Sequence, residues 1–192
     1  MTRPTVNPGM VVWTGEHWID YLRRPGEQTN SGMVSLYHTR YSPVGEGTVA
    51  FVDVAGDDGL AAVCADNTDL VPYLVEKMIR ARGKGVHHFD RDLPVLDAAI
   101  TRGGTITAAP SWEIRTAHHQ IVATWLDLEP PFLAELPAPS VLDYADFYSL
   151  FFFARSATIA LNGRRVDGQP YTITYPPPNI GVTNSISASR KA

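Results

Sequence analysis

Cysteine is nearly missing. The chain has one, Cys64, in 192 residues, so no disulfide can form within it and zinc patterns built on cysteine pairs are excluded. It lies in the apolar run Ala61-Ala62-Val63-Cys64-Ala65, which reads as a buried strand with a core thiol rather than a nucleophile. A lone thiol fits a reducing compartment. Charge is sparse as well, at 19% of residues. With 20 acidic and 16 basic residues, net −4, there is no overall positive field to attract DNA or an anionic bilayer. Nucleic acid is not an expected partner. No apolar run approaches the ~20 residues that span a bilayer, and residues 1–8 lack a signal peptide's apolar stretch. The reading is cytoplasmic, with no membrane partner.

Motifs for the commonest chemistries are absent too. There is no Walker loop, Gly-x-Gly-x-x-Gly, Gly-x-Ser-x-Gly, Ser-x-x-Lys, His-Glu-x-x-His or His-x-His. Gly83-Lys84-Gly85 follows an expected helix instead of opening one, the wrong order for a phosphate cradle. No cofactor is expected.

What the chain does have is 44% hydrophobic and 10% aromatic residues, normal for one packed domain over 1–192. Residues 33–41 and 48–54 are rich in β-branched and aromatic types and flank a turn-like Ser42-Pro43-Val44-Gly45-Glu46-Gly47, which predicts a hairpin. A Gly/Asp-rich reversal at 55–59 leads to a third strand at 60–64, giving an antiparallel meander. One helix is predicted over 69–82, from Leu70, Tyr73, Leu74, Met78 and Ile79 at helical spacing, a cap at Asn67 or Thr68, and Gly83 as the stop. Residues 105–109 read as extended. Segments 111–116 and 121–125 read as a second hairpin reversing near Ala117-His118, with Trp112 and Trp125 on apolar faces. Asn162-Gly163, between 157–161 and 164–166, is the pair a type I′ turn requires. Prolines mark 128–139 and 175–179 as loop or polyproline-like. The polar tail 183–192 reads as a weak last strand or a frayed end. The fold class is mainly β, an antiparallel barrel or sandwich crossed by one helix near 69–82.

Several groups are candidates for chemistry. His87, His88 and Asp90 form a His-x-Asp unit like the local part of a non-haem iron triad, with His118 or His119 as a distal imidazole. A polar loop after the helix explains the same residues. Both His118 and His119 on one strand would point to opposite faces, so a solvent-exposed hairpin tip is the better reading and no metal is assigned. Lys77, Arg80, Arg82 and Lys84 could hold an anion or simply complement a helix end. His38, Asp53, Glu113 and Asp127, each flanked by apolar residues, are the acid/base candidates, since burial would shift their pKa values toward neutrality. The aromatic stretch 143–153 is either core or pocket wall. Its Tyr144, Tyr148 and Phe152, with Trp112 and Trp125, are the ligand-binding candidates.

The succession Pro110-Ser111-Trp112-Glu113-Ile114, then 123–131, then Ile159-Ala160-Leu161-Asn162-Gly163-Arg164-Arg165-Val166-Asp167-Gly168 resembles the strand-and-hairpin rhythm of lipocalin-like β-barrels related to carotenoid 1,2-hydratases and the AttH family. The likeness covers the second half of the chain. The lipocalin Gly-x-Trp signature is absent, and no catalytic residue is carried over. The resemblance implies a barrel whose interior holds a hydrophobic small molecule, sometimes transformed by acid/base chemistry. The functional expectation is therefore binding of an apolar or amphipathic small molecule in a barrel cavity. The alternatives are a cofactor-free hydratase, isomerase or cyclase on that scaffold, or an interaction module with a filled core. Homo-oligomerisation is compatible with each.

Overall fold

The computed structural model describes residues 11–81, 83–139, 144–171, 173–175, 180–182 and 185–191, with side chains described as far as Tyr171. The protein is mainly β, and among the described residues every strand pair is antiparallel except β4 with β5. The strands in chain order are β1 (Trp13–Arg23), β2 (Asn30–Tyr41), β3 (Gly47–Val54), β4 (Leu60–Ala65), β5 (Val95–Asp97), β6 (Ala99–Gly103), β7 (Ser111–Arg115) and β8 (Gln120–Leu128). They continue as β9 (Phe132–Leu136), β10 (Phe147–Leu161), β11 (Arg164–Arg165), β12 (Gln169–Pro170), β13 (Ile173–Tyr175), β14 (Ile180–Val182) and β15 (Ser185–Lys191). Hydrogen bonding follows the order β5-β4-β3-β2-β1-β15-β10-β8-β7-β6, and the sheet curls strongly toward a barrel.

The long strand β10 makes this curl possible. Its first half pairs with β15 and β9, and its second half with β8 and β11. It thus belongs both to a large sheet centred on β1–β4 and to a small one of β6–β8. Asp127, at φ 53°, interrupts the β8–β10 ladder between Leu126↔Ser156 and Leu128↔Ala154. Past that irregularity the inward residues of β10 change from Ile159 and Leu161 to Phe152 and Ala154. A break in the two-residue alternation is what re-aims a strand in this way.

Two apolar cores result. Between the sheets, Trp18, Leu22, Val34, Leu36, Val52 and Cys64 meet Trp112, Ile114, Ile121, Trp125, Ile159 and Leu161. Burial there pushes the Cys64 thiol up to about 11. On the other face of the large sheet, Trp13, Ile19, Tyr37 and Phe51 are covered by Leu70, Leu74, Met78, Ile79 and Phe89. Strands β1–β4 are therefore buried on both faces.

The helical segment is shorter than its sequence spacing predicts. Leu70–Leu74 is α-helix (α1) and Val75–Ile79 winds on as π-helix, closed by the Arg80 N–H donating to the Val75 carbonyl at 2.9 Å. Asn67 acts before the first turn, its Oδ1 accepting from the Asp69 N–H at 3.2 Å. Arg82 lies outside the described residues.

The meander and both expected hairpins are present, and Asn162 and Gly163 take φ of 51° and 78° in the β10–β11 turn. Other segments differ from expectation. Residues 105–109 turn instead of extending, with Ala108 and Ala109 N–H groups both donating to the Thr105 carbonyl. Within the proline-flanked segment 128–139, Phe132–Leu136 forms β9, because the prolines fall outside it and leave its N–H groups free to pair with β10. Of the tail, Ser185–Lys191 forms β15, between β1 and β10. Residues 176–179 lie outside the described residues.

Candidate functional site

Cross-strand register assembles a polar group at one end of the inter-sheet core. Glu16 stands opposite His38, and His38 opposite Thr48, in a row across β1, β2 and β3. From the small sheet, Arg102 stands opposite Trp112 across β6 and β7. The two rows meet at the rim. Glu16 Oε2 accepts from the Trp18 indole N–H at 3.1 Å and from the Arg102 guanidinium. That guanidinium lies over both indoles, 4.8 Å from Trp112 and 5.4 Å from Trp18. Gly15 permits the arrangement, because a Cβ there would collide with the His38 carbonyl.

His38 is half-buried, with Nδ1 3.0 Å from Thr48 Oγ1 and its ring 5.3 Å from the Trp112 ring. Desolvation is the main cause that lowers its pKa; Arg40 and Arg102 act in the same direction, against Glu16 and Asp66. The imidazole is therefore neutral near pH 7. The Trp112 indole N–H is buried and meets no acceptor among the described residues. Such a donor carries a desolvation cost of ~1–3 kcal/mol until something accepts from it.

Beyond the rim, on β10 and β9, the same face of the large sheet carries exposed apolar side chains. Register through β15 aligns Glu16 with Leu150 and then Leu133, Trp18 with Phe152, and Thr14 with Tyr148. Leu150, Tyr148 and Leu133 are 37%, 44% and 53% exposed, beyond the cover of the small sheet. At ~4.8 Å per strand, this shelf starts ~10 Å from Glu16.

Of the ligand-binding candidates, Trp112, Tyr148 and Phe152 thus lie on this rim and shelf. Trp125 is elsewhere, fully buried, 5.0 Å from Trp18 and donating to the Ile19 carbonyl at 2.7 Å. Tyr144 donates its hydroxyl to the Lys77 carbonyl beside the helical segment, and burial pushes that phenol up to about 12.

Among the acid/base candidates only His38 joins the site. Glu113 points away from the core and is held by Gln120 and Arg115, which lower its pKa in that order. Asp127 is exposed at the ladder break. Asp53 faces the helical layer, accepting from His88 Nε2 at 2.5 Å and from Arg91 at 2.6 Å, and the His88 bond is the main cause lowering its pKa.

The histidine candidates for a metal are dispersed. His88 pairs with Asp53, whereas Asp90 accepts from the Gly85 N–H at 2.5 Å and Arg80 Nε at 2.8 Å, clamping the loop. Arg80 is thereby neutralised within the basic cluster. His118 and His119 sit at the β7–β8 turn, where their N–H groups donate to Thr116 Oγ1. No group of three His, Cys, Asp or Glu side chains among the described residues is placed to hold a metal. His119 also borders an open cleft of about 450 Å³ lined by Asp57, Asp58, Asn162 and Arg164. No helix among the described residues is long and apolar enough to cross a membrane.

Glu16, Trp18 and Arg102 carry no signal in the sequence, and Leu150 shows only as part of the 143–153 stretch. In β1 both faces are buried, so the Glu16-Trp18-Asp20-Leu22 side carries no polar/apolar alternation against His17-Ile19-Tyr21. No family model, curated protein or solved structure matches the chain.

Proposed function

We propose that the protein binds an amphipathic small molecule at the rim between its sheets. The apolar body lies along Leu150, Leu133, Tyr148 and Phe152, and an oxygen of the polar end accepts from the Trp112 indole N–H and the Arg102 guanidinium. The observation that carries this reading is the buried, acceptor-less Trp112 N–H beside a cation and next to an exposed apolar shelf. The lipocalin-like resemblance implies a ligand of the same kind. Here the tryptophans of the core occupy the middle of the inter-sheet space, which moves the ligand to its mouth.

The test is titration with 2-tetralone and with decanoate, followed by tryptophan fluorescence, alongside native mass spectrometry before and after organic extraction. A saturable change that weakens at least about tenfold in Leu150→Asp is expected, since a charge on the shelf must be desolvated by the ligand. Flat titrations with both compounds and no extractable molecule would overturn the proposal.

A further inference from the structure

We infer that the rim site performs cofactor-free proton transfer at the carbon next to a carbonyl, with His38 as the base and the Trp112 N–H and Arg102 as the donors that hold the enolate oxygen. This rests on the binding reading above and assigns it a substrate class, an apolar ketone, saturated or β,γ-unsaturated.

The arrangement meets what enolisation requires, a base and an oxyanion site on one side of a bound carbonyl. Thr48 holds the imidazole at Nδ1, and Nε2 has no partner among the described residues. The tautomer that acts as base has Nδ1–H donating to Thr48 Oγ1 and the lone pair on Nε2. The Trp112 ring, bearing the open donor, is 5.3 Å away, and Arg102 is 4.8 Å from that ring. Glu16 is occupied by Trp18 and Arg102, so it fixes the guanidinium without occupying the imidazole. The charged groups acting on His38 are Glu16, Arg40, Arg102 and Asp66, and desolvation outweighs them to keep the imidazole in its basic form near neutrality.

In the step, Nε2 takes the α-proton, the C–H electron pair forms the carbon–carbon double bond, and the carbonyl π pair moves onto oxygen. That oxygen is held by the indole and guanidinium N–H groups. The imidazolium then returns its proton to the same carbon or, in a β,γ-unsaturated ketone, to the γ-carbon, which shifts the double bond into conjugation. No co-reactant is consumed.

The experiment is α-hydrogen exchange of 2-tetralone in D2O, read by proton NMR at saturating probe, so that altered affinity in a variant drops out. Wild-type protein is expected to accelerate exchange over buffer, with an inflection below that of an ordinary imidazole. His38→Gln should lower the saturated rate at least ~100-fold. Trp112→Phe should lower it with the pH inflection unmoved, a pattern that loss of packing alone does not give. Saturable fluorescence binding with no exchange above buffer, or with equal exchange in His38→Gln, overturns the catalytic inference and leaves the binding reading standing. Flat titrations with both 2-tetralone and decanoate, together with no extractable molecule, overturn both.

Discussion

Trp125 reaches from the small sheet across the interior and donates its indole N–H to the Ile19 carbonyl of β1, 106 residues away in sequence, at 2.7 Å. The same indole packs edge-on against Trp18 at 5.0 Å. One side chain thus joins the layers by both a buried hydrogen bond and an aromatic contact. Trp125→Phe keeps an aromatic ring but loses the bond and part of the side-chain volume, so it should cost about 1–3 kcal/mol. The midpoint of urea unfolding should fall with the slope unchanged.

Trp112→Phe should behave in the opposite way. It removes a buried donor that has no acceptor among the described residues, so the lost ring volume is offset by relief of desolvation. Stability should change by less than about 1 kcal/mol. Affinity for 2-tetralone should fall roughly fivefold, the worth of one hydrogen bond of about 1 kcal/mol. Equal loss of stability in the Trp112 and Trp125 variants would remove the distinction drawn between them.

Asp20 is fully buried on the core face of β1, and burial raises its carboxyl well above 3.8. A carboxyl with a raised folded pKa binds more protons folded than unfolded, so stability falls as pH rises above the unfolded value. Asp20→Asn abolishes that penalty. Thermal unfolding should show the variant more stable than wild type at pH 8, with the gap narrowing toward pH 4.

Asp53 has the reverse sign. Its pKa is depressed below 3.8 by the His88 hydrogen bond, aided by Arg91. Its contribution is complete above the ordinary carboxylate value and disappears as pH falls through the depressed one. The ion pairs are partly exposed, which limits the effect. Asp53→Asn should lower the unfolding midpoint modestly at pH 7 and flatten its acid limb below pH 4.

The parts of the fold written in local pattern are legible from sequence. The β2–β3–β4 meander, the β7–β8 hairpin and the Asn162-Gly163 turn each rest on residues within a few positions of one another. Elements whose existence depends on distant partners are not. The β1 strand lacks alternation because the helical layer covers one face and the small sheet the other. The polar sequence of β15 carries little strand signal of its own and is a strand because two edges receive it. At the site, His38 and Trp112 show as candidates because their flanks are apolar. Glu16 and Arg102 do not, since their roles arise from register with residues 22 and 10 positions away.

The placement of β15 has a consequence for how the chain can be divided. Without Ser185–Lys191, the facing edges of β1 and β10 would present unpaired N–H and C=O groups across a gap one strand wide. A chain stopped at residue 184 is therefore a receptor for its own missing strand. Supplied separately, a peptide carrying 185–191 should complement it and close the curl, making the two pieces a natural split reporter.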